Sequence, residues 1–179
     1  MDHVSIKDKV FEPYISPEQI QARIQQLAQT INKLYANKNP ILVIVLNGAF
    51  IFAADLIRGM TVQPQTQFIR VSSYEDRMQS SQKVKQILGL NMPLVDRHVL
   101  IIEDIVDTGH TAKYLRSHIH EQQPASLAIV TLLYKPDAFL GGVLPEHVGF
   151  KISNDFVVGY GLDYAQLGRE LSGIYKLME

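Results

Sequence analysis

HVLIIEDIVDTGHT, from His98 to Thr111, is the stretch of sequence that decides the fold of this chain. Its first half, Val99 to Ile102, is a continuous run of aliphatic residues, which is typical of a strand buried on both faces of a parallel sheet. Glu103 and Asp104 follow where this strand should end, and a helical pattern begins near Thr111 and reaches about Gln122. Backbone N–H groups and a helix N-terminus both favour negative charge. We therefore expect a strand, a loop that cradles an anion, and a helix.

The acidic pair narrows the kind of anion that this loop would bind. Two adjacent carboxylates are unsuited to a bare phosphate, but they suit sugar hydroxyls or a Mg²⁺ ion carried by a phosphorylated ligand. The alternative is an ordinary strand–loop–helix unit in which a threonine caps the helix. The residues alone therefore indicate a phosphorylated sugar ligand and leave the structural alternative open.

The segment EDIVDTGHT resembles the signature of the class I phosphoribosyltransferases, which bind phosphoribosyl pyrophosphate (PRPP). A strand, an acidic pair, an aspartate and Thr-Gly-x-Thr occur in the order of that signature. The resemblance implies that Glu103 and Asp104 hold the ribose hydroxyls, directly or through Mg²⁺. It also implies a loop for the 5′-phosphate, formed by Asp107, Thr108, Gly109, His110 and Thr111.

Length, charge and cysteine content limit the remaining possibilities. The chain has 179 residues, 46% of them hydrophobic, which fits one domain with a sizeable core. The net charge is −1 and there is no cysteine, so disulfides and a cysteine nucleophile are excluded. The N-terminal residues contain no apolar signal segment. We expect a soluble cytoplasmic protein without a nucleic-acid or membrane partner.

Periodicity predicts a first helix and then an alternation of strands and helices. Ser16-Pro17-Glu18-Gln19 has the pattern of a capped helix start, and Asn37 to Pro40 should end the helix. Its apolar stripe consists of Ile20, Ile24, Leu27, Ile31 and Leu34. A buried strand should follow at Ile41 to Leu46, and a short helix at Ala49 to Arg58. The other predicted strands are Gln67 to Val71, Val84 to Leu90, Ala125 to Leu133, Gly149 to Ile152 and Phe156 to Val158.

This alternation predicts an α/β fold with a parallel, doubly wound sheet, in which ligands bind at the C-terminal ends of the strands. We expect a single domain over residues 1–179 of the class I phosphoribosyltransferase type. The core should span about 37–150, and a small hood should form from about 1–36 and 151–179. Residues 1–15 are mixed in character and are expected to be an arm.

Asn47 and Gly48 follow the strand predicted at Ile41 to Leu46, on the same side of the sheet as the signature. On the residues alone this is an Asn-Gly turn. By resemblance it is a pyrophosphate-binding loop that uses backbone amides and often has a non-proline cis peptide, here between Leu46 and Asn47. The family often has Lys or Arg at the position of Asn47, so a charged contact from this loop is not expected.

The segment Ser72 to Gln82 is polar and too long for a tight turn. Loops of this length are usually functional or mobile, and an exposed surface loop is the alternative. By resemblance Ser73 and Tyr74 belong to a flap that closes over the reacting centre and excludes water. We expect this segment to become ordered only when both substrates are bound.

The C-terminal third resembles the 6-oxopurine branch of the same family. FVVGYGLDY, from Phe156 to Tyr164, matches its base-binding segment, and Lys135 follows a strand as a lysine does there. Each of these residues by itself would be an ordinary core, turn or surface residue. The resemblance implies the following purine contacts: Lys135 to the exocyclic O6, Phe156 by stacking, and Val157 and Asp163 near the edge of the base. It also places Asp163 near the metal and Arg169 on pyrophosphate.

Together these features imply transfer of the phosphoribosyl group from PRPP to hypoxanthine or guanine, with Mg²⁺ as cofactor and Asp107 as the general base. The family suggests a homodimer or homotetramer. One alternative is a PRPP-binding regulatory module on the same fold, because fold alone does not fix catalysis. Another is a transferase for a different base, such as uracil, orotate or adenine.

Overall fold

The structure, a computed structural model, describes residues 1–74 and 83–178. In chain order its elements are β1 (Val4–Ile6), β2 (Lys9–Ile15), α1 (Pro17–Leu34), β3 (Ile41–Leu46), α2 (Phe50–Arg58), β4 (Gln65–Tyr74), β5 (Lys83–Leu88), β6 (His98–Val106), α3 (His110–His120), β7 (Ser126–Tyr134), a short 3-10 turn (Pro136–Ala138), β8 (His147–Lys151), β9 (Val157–Val158) and β10 (Ile174–Leu177).

Six strands form the large sheet, in the order β5-β4-β3-β6-β7-β8. Five neighbouring strands of this sheet pair in parallel, in the order β4-β3-β6-β7-β8. The sixth strand, β5, pairs with β4 antiparallel. The predicted parallel, doubly wound sheet is confirmed, with one antiparallel strand added at its edge. The chain runs outward from β3 to β4 and then returns to the other side of β3 as β6. Ligands bind at such a reversal of strand order, so the carboxyl ends of β3 and β6 mark the expected site.

The core has one layer of apolar side chains on each face of this sheet. Side chains of α1 and α2 pack with alternate residues of β3 and β6 on one face, and those of α3 pack on the other. Because β3 is covered on both faces, Ile41, Leu42 and Val43 are all fully buried.

The first helix begins as its sequence predicts. Ser16 is the N-cap, its hydroxyl accepts from the Gln19 N–H at 3.3 Å, and the Gln19 side chain accepts from the Ser16 N–H at 2.9 Å. The predicted apolar stripe is buried over Ile20 to Ile31, but Leu34 was wrongly included and is 48% exposed. Leu34 is the last residue of α1.

Both ends of the chain meet in a small antiparallel sheet, in the order β1-β2-β10-β9. This agrees with the predicted hood. The prediction that residues 1–15 form an arm was wrong, because β1 and β2 pair with each other and β2 pairs with β10. Phe11 is fully buried in the core of this sheet. The pairing of β2 with β10 joins residues some 160 positions apart, which local periodicity does not detect.

Other differences concern the ends of elements. β6 does not stop before the acidic pair but continues through Glu103 and Asp104 to Val106, since its pairing with β7 continues to Tyr134. β4 extends through Tyr74. Helix α1 packs against the large sheet, and the boundaries given for core and hood stay a prediction. In the described part of the chain, no helix is long and apolar enough to cross a membrane.

Candidate active site

A cavity of about 460 Å³ lies at the carboxyl ends of β3 and β6, at the reversal of strand order. Backbone and side chains from three parts of the chain line it: the loop after β3, the signature segment, and the stretch between β9 and β10. Its lining includes Asn47, Gly48, Glu103, Asp104, Asp107, Gly109, Thr111, Asp163 and Arg169. Nine of the residues predicted for a site are thus brought to one cavity by the topology of the sheet.

Gly48 lies directly against the side chain of Asp104. A Cβ atom at this glycine would overlap the Asp104 carboxylate, so the absence of a side chain allows the two strand ends to approach. The peptide bond between Leu46 and Asn47 is cis. The structure therefore shows the peptide geometry that the resemblance implied for this loop, where a plain Asn-Gly turn was the alternative.

The acidic pair has an unusual electrostatic environment. Glu103 is 3% exposed, and burial, followed by the charges of Asp104 and Asp107, raises its pKa well above the ordinary value. Burial also raises the pKa of Asp104 to about 6, although the Ile105 N–H donates to Asp104 Oδ1 at 2.9 Å and Arg169 favours the charged form. Two neighbouring carboxylates that are both costly to ionise are typical of a ligand or metal site rather than of structural stabilisation.

The carboxylates fit a cation that arrives with its own ligands. Glu103 Oε1 is buried and has no hydrogen-bond partner among the described residues, so it has an unused acceptor. Within the same residues, no group of three or more acidic or histidine side chains is arranged to hold a metal ion. Mg²⁺ is commonly bound by one or two carboxylates, with substrate phosphates and water completing its coordination. The pair therefore suits Mg²⁺ bound to a phosphorylated ligand better than a metal held by the protein alone.

The loop after β6 presents backbone amides at the start of α3. Gly109 is the N-cap of α3 with φ of 84°, in the left-handed region that favours glycine. A Cβ atom there would overlap the ring of Phe139, which lies directly against this glycine. Asp107 is exposed, and its Oδ1 accepts from the Thr108 N–H at 2.5 Å. The loop thus has a fixed backbone and a carboxylate at its rim that is free to contact a ligand.

An ion pair closes the opposite side of the cavity. Arg169 Nη2 lies 2.5 Å from Asp163 Oδ1, and Arg169 Nη1 donates to the Gly161 carbonyl at 2.6 Å. Asp163 Oδ2 also accepts from the Gln166 N–H at 2.8 Å. Arg169 is the only cationic residue in the lining of this cavity that the structure describes, against four carboxylates. A polyanion would need a divalent cation as well as Arg169 to bind here.

Three predicted base contacts, Lys135, Phe156 and Val157, are not part of the lining of this cavity. The Lys135 N–H donates to the Val106 carbonyl at 2.9 Å, which places this lysine next to Asp107. Phe156 is 44% exposed and packs edge-on against Tyr164, with ring centroids 5.9 Å apart. Val157 lies on β9, an edge strand of the small sheet.

The hydrogen-bonding pattern of β9 leaves the backbone of Val157 available. The Leu177 N–H donates to the Phe156 carbonyl at 2.9 Å, so Phe156 and Leu177 form a hydrogen-bonded pair. Val157, which lies opposite Lys176, is then in a non-hydrogen-bonded position, because the two kinds of pair alternate. Its N–H and C=O point away from β10, toward the open edge of the sheet, where a planar base could pair with them.

Thr108 and His110 also lie outside the cavity lining, with His110 Nδ1 3.0 Å from Thr108 Oγ1. Ser73 and Tyr74 were expected to begin a flap, but they are the last residues of β4. Their side chains and residues 75–82 lie outside the described residues, so the flap stays a prediction. Sequence analysis missed Phe139, because a phenylalanine in a loop carries no signal for the glycine that it covers.

Comparison with known proteins gives concordant results. A family model described as the phosphoribosyl transferase domain matches residues 16–165. A hypoxanthine-guanine phosphoribosyltransferase of Lactococcus lactis is 41% identical over 165 residues, covering 92% of this chain and 90% of the relative. One of Mycobacterium tuberculosis is 43% identical over 169 residues, covering 91% and 84%. A solved hypoxanthine-guanine phosphoribosyltransferase from Bacillus anthracis superposes with a TM-score of 0.89 at 35% identity, covering 93% and 98%.

Proposed function

Because the chain belongs to the phosphoribosyl transferase family, we propose that it is a purine-salvage enzyme that transfers the 5-phosphoribosyl group of PRPP to hypoxanthine and guanine. The products are the purine nucleotide, IMP or GMP, and pyrophosphate. One observation carries this proposal: the signature loop, the Asn47-Gly48 loop and the Asp163–Arg169 pair line a single cavity. These are the parts that must surround the 5′-phosphate, the pyrophosphate and the base if the three groups are to meet at one sugar.

The sugar and its 5′-phosphate are assigned to the signature segment. Glu103 and Asp104 hold the ribose hydroxyls, directly or through Mg²⁺, and this role is supported by the unused buried oxygen of Glu103. The loop from Asp107 to Thr111 binds the 5′-phosphate through its backbone amides other than the Thr108 N–H, which donates to Asp107, and the side chains of Thr108 and His110 contribute at the rim. The helix start at His110 adds the favourable end of its dipole.

The pyrophosphate is assigned to Asn47, Gly48 and Arg169, which line the same cavity. In the reaction, the bond between C1 of the sugar and the pyrophosphate oxygen breaks, and the sugar becomes cationic before the purine nitrogen bonds to C1. Donors on the leaving group therefore stabilise the transition state. When bound, Mg²⁺ would neutralise charge on the phosphates, and Glu103, Asp104 and Asp163 are the carboxylates that would hold it, through PRPP or water.

Asp107 acts on the incoming base. One imidazole nitrogen of the purine bonds to C1, and the proton on the other nitrogen moves to the Asp107 carboxylate, which makes the purine a better nucleophile. The exposure of Asp107 and its position one residue beyond β6 support this role.

Base choice is assigned to groups around the mouth of the cavity. Lys135 donates to the exocyclic O6 of a 6-oxopurine, Phe156 stacks on the ring, and Asp163 and the free backbone of Val157 lie at the edge of the base. Adenine has an amino group at position 6, so this hydrogen-bond donor would face the ammonium group of Lys135, which is also a donor. An unpaired charged donor in a closed site costs roughly 1–3 kcal/mol or more, so adenine is rejected.

The test is to mix the purified protein with PRPP, Mg²⁺ and each base in turn, and to quantify nucleotide and pyrophosphate. We expect equal amounts of both products with hypoxanthine and with guanine, and very little with adenine, uracil or orotate. If PRPP binds, as measured by calorimetry, but no base is converted, the regulatory alternative is correct. Conversion of a different base alone would also contradict the proposal. We further propose a homodimer or homotetramer, which light scattering of the purified protein tests directly.

A further inference from the structure

The phenol of Tyr160 connects the segment from residue 159 to 171 with the helices that pack on the large sheet. Tyr160 is 4% exposed, and its hydroxyl donates to Asp55 Oδ2 at 2.5 Å. Asp55 lies on α2, and the same oxygen accepts from Gln21 Nε2 of α1 at 2.8 Å. Arg58 Nη1 lies 3.0 Å from the other oxygen, Asp55 Oδ1. A single carboxylate therefore joins α1, α2 and the segment that carries Arg169.

The protonation states make this a charge-assisted hydrogen bond. Burial raises the pKa of Asp55, but hydrogen bonds from Tyr160 and Gln21 and the charge of Arg58 outweigh burial and hold the pKa below its ordinary value. Burial and the nearby Asp55 raise the pKa of Tyr160. A neutral phenol thus donates to a charged carboxylate, and such bonds are stronger than those between neutral groups.

The backbone at Tyr160 is held in a conformation that few residues with a side chain adopt. Gly159, Tyr160 and Gly161 have φ values of 98°, 49° and 100°, three successive left-handed residues. A tyrosine is disfavoured in this region, so the surroundings must hold it there. They do so at both ends of the residue, since the Tyr160 N–H donates to the Leu171 carbonyl at 2.8 Å while the hydroxyl binds Asp55.

Gly161, the residue after Tyr160, contacts two parts of the cavity lining, the Gly48 loop and Arg169. The backbone of Gly161 packs so closely on the Gly48 carbonyl that a Cβ atom at Gly161 would overlap it. The Gly161 carbonyl accepts from Arg169, and the Gly161 N–H donates to the Arg169 carbonyl at 3.0 Å. Neither Tyr160 nor Asp55 lines the cavity. Their hydrogen bond nevertheless connects the neighbours of two lining residues. Asp55 lies on α2, which begins two residues after Gly48, and Tyr160 directly precedes Gly161.

We propose that Tyr160 and Asp55 are positioning residues, which hold Arg169 and the Gly48 loop at the separation that the pyrophosphate group of PRPP requires. This inference rests on the proposed function, because it assigns a purpose to the spacing of that same site. Loss of the phenol–carboxylate bond should weaken binding of PRPP and of pyrophosphate. Binding of the base should change less, since Lys135 is bonded to the end of β6 and Phe156 to β10, both outside the segment from 159 to 171, and only Asp163 of the proposed base contacts lies within it.

The experiment compares Tyr160→Phe with the matched variant Tyr164→Phe. Both keep the ring and lose a hydroxyl that donates to a carboxylate, but Tyr164 binds Asp8, at 2.9 Å, on the hood surface. In Tyr160→Phe we expect the KM values for PRPP and for pyrophosphate in the reverse reaction to rise about tenfold, as expected for loss of one hydrogen bond to a charged group. In Tyr160→Phe the KM for hypoxanthine and kcat should stay within about twofold of the parent, and Tyr164→Phe should leave the KM values for PRPP and for pyrophosphate at those of the parent.

Direct binding of PRPP with Mg²⁺, measured by calorimetry on the folded proteins, separates this inference from the proposed function. A parent that binds PRPP about tenfold more tightly than Tyr160→Phe supports the positioning role even if no base is converted. Equal affinities overturn it, and so does an equal loss of every kinetic parameter. If Tyr160→Phe is unfolded by circular dichroism, Asp55→Asn replaces it, and a selective rise in the PRPP and pyrophosphate constants is again the supporting result.

Discussion

Replacement of Asp104 by Asn should stabilise the unliganded protein while it removes ligand binding. Burial raises the pKa of Asp104 from its ordinary 3.8 to about 6. At about 1.4 kcal/mol for each pH unit, this corresponds to a folding penalty of about 3 kcal/mol for the charged side chain. An Asn at this position carries no charge, and its carbonyl oxygen can still accept from the Ile105 N–H. We therefore expect Asp104→Asn to be more stable than the parent by up to about 3 kcal/mol at pH 7.5.

The pH dependence of this difference has a defined sign. Below pH 3.8 Asp104 is protonated in both the folded and the unfolded chain, so the parent and Asp104→Asn should differ little. As the pH rises from 3.8 to about 6 the unfolded chain releases the proton first, and the parent loses stability relative to the variant. Above about pH 6 the contribution of Asp104 itself should no longer change with pH.

Urea denaturation of the metal-free proteins between pH 4 and 7.5 measures this difference. Asp137→Asn, an exposed carboxylate on the nearby 3-10 turn, is the matched control and should change the free energy of unfolding by less than about 0.5 kcal/mol. Mg²⁺ and PRPP should raise the melting temperature of the parent and of Asp137→Asn but not that of Asp104→Asn. An Asp104→Asn protein as stable as the parent at pH 7.5, or less stable, would refute the account of this carboxylate.

Two further substitutions test other parts of the site. Asp107→Asn should lower kcat by about 10²–10⁴-fold with an unchanged melting temperature. The Asn can still accept from the Thr108 N–H, but it cannot accept a proton from the base. A near-parental kcat in a stopped assay with hypoxanthine would remove Asp107 from the mechanism. Gly48→Ala should raise the KM for PRPP at least about tenfold, a loss of roughly 1.4 kcal/mol of binding free energy, because the new methyl group would displace the Asp104 carboxylate. An unchanged KM would show that PRPP binding does not need the close approach of Gly48 to Asp104.

The sequence was sufficient for the large sheet because its central strand β3 is apolar throughout, β6 begins with a long apolar run, and the first helix carries a complete capping box. The site at the ends of β3 and β6 followed from the same alternation and from the signature. Local patterns did not predict the pairing of the small sheet, whose strands β2 and β10 lie near opposite ends of the chain. Nor did they predict the bond from Tyr160 to Asp55, since it depends on how the hood lies on α2.

The site itself was only partly predictable, for a related reason. Residues of the signature come together because they are neighbours in sequence, whereas Asp163 and Arg169 reach the cavity through the irregular segment between β9 and β10. The resemblance placed these two residues, and periodicity had no means to do so. The orphaned oxygen of Glu103 and the raised pKa of Asp104 arise from burial, which becomes visible only when the sheet is complete.

We propose that this site transfers phosphoribosyl to 6-oxopurines and rejects adenine through Lys135. The most direct test is the ratio of kcat/KM for hypoxanthine to that for adenine, with saturating PRPP and Mg²⁺, in the parent, in Lys135→Ala and in Lys151→Ala. Lys151 is the matched control because it is an exposed lysine at the end of the neighbouring strand β8. We predict a ratio of at least about ten to a few hundred in the parent and in Lys151→Ala, and a ratio near one in Lys135→Ala. Efficient use of adenine by the parent, or full preference for hypoxanthine in Lys135→Ala, would contradict the account.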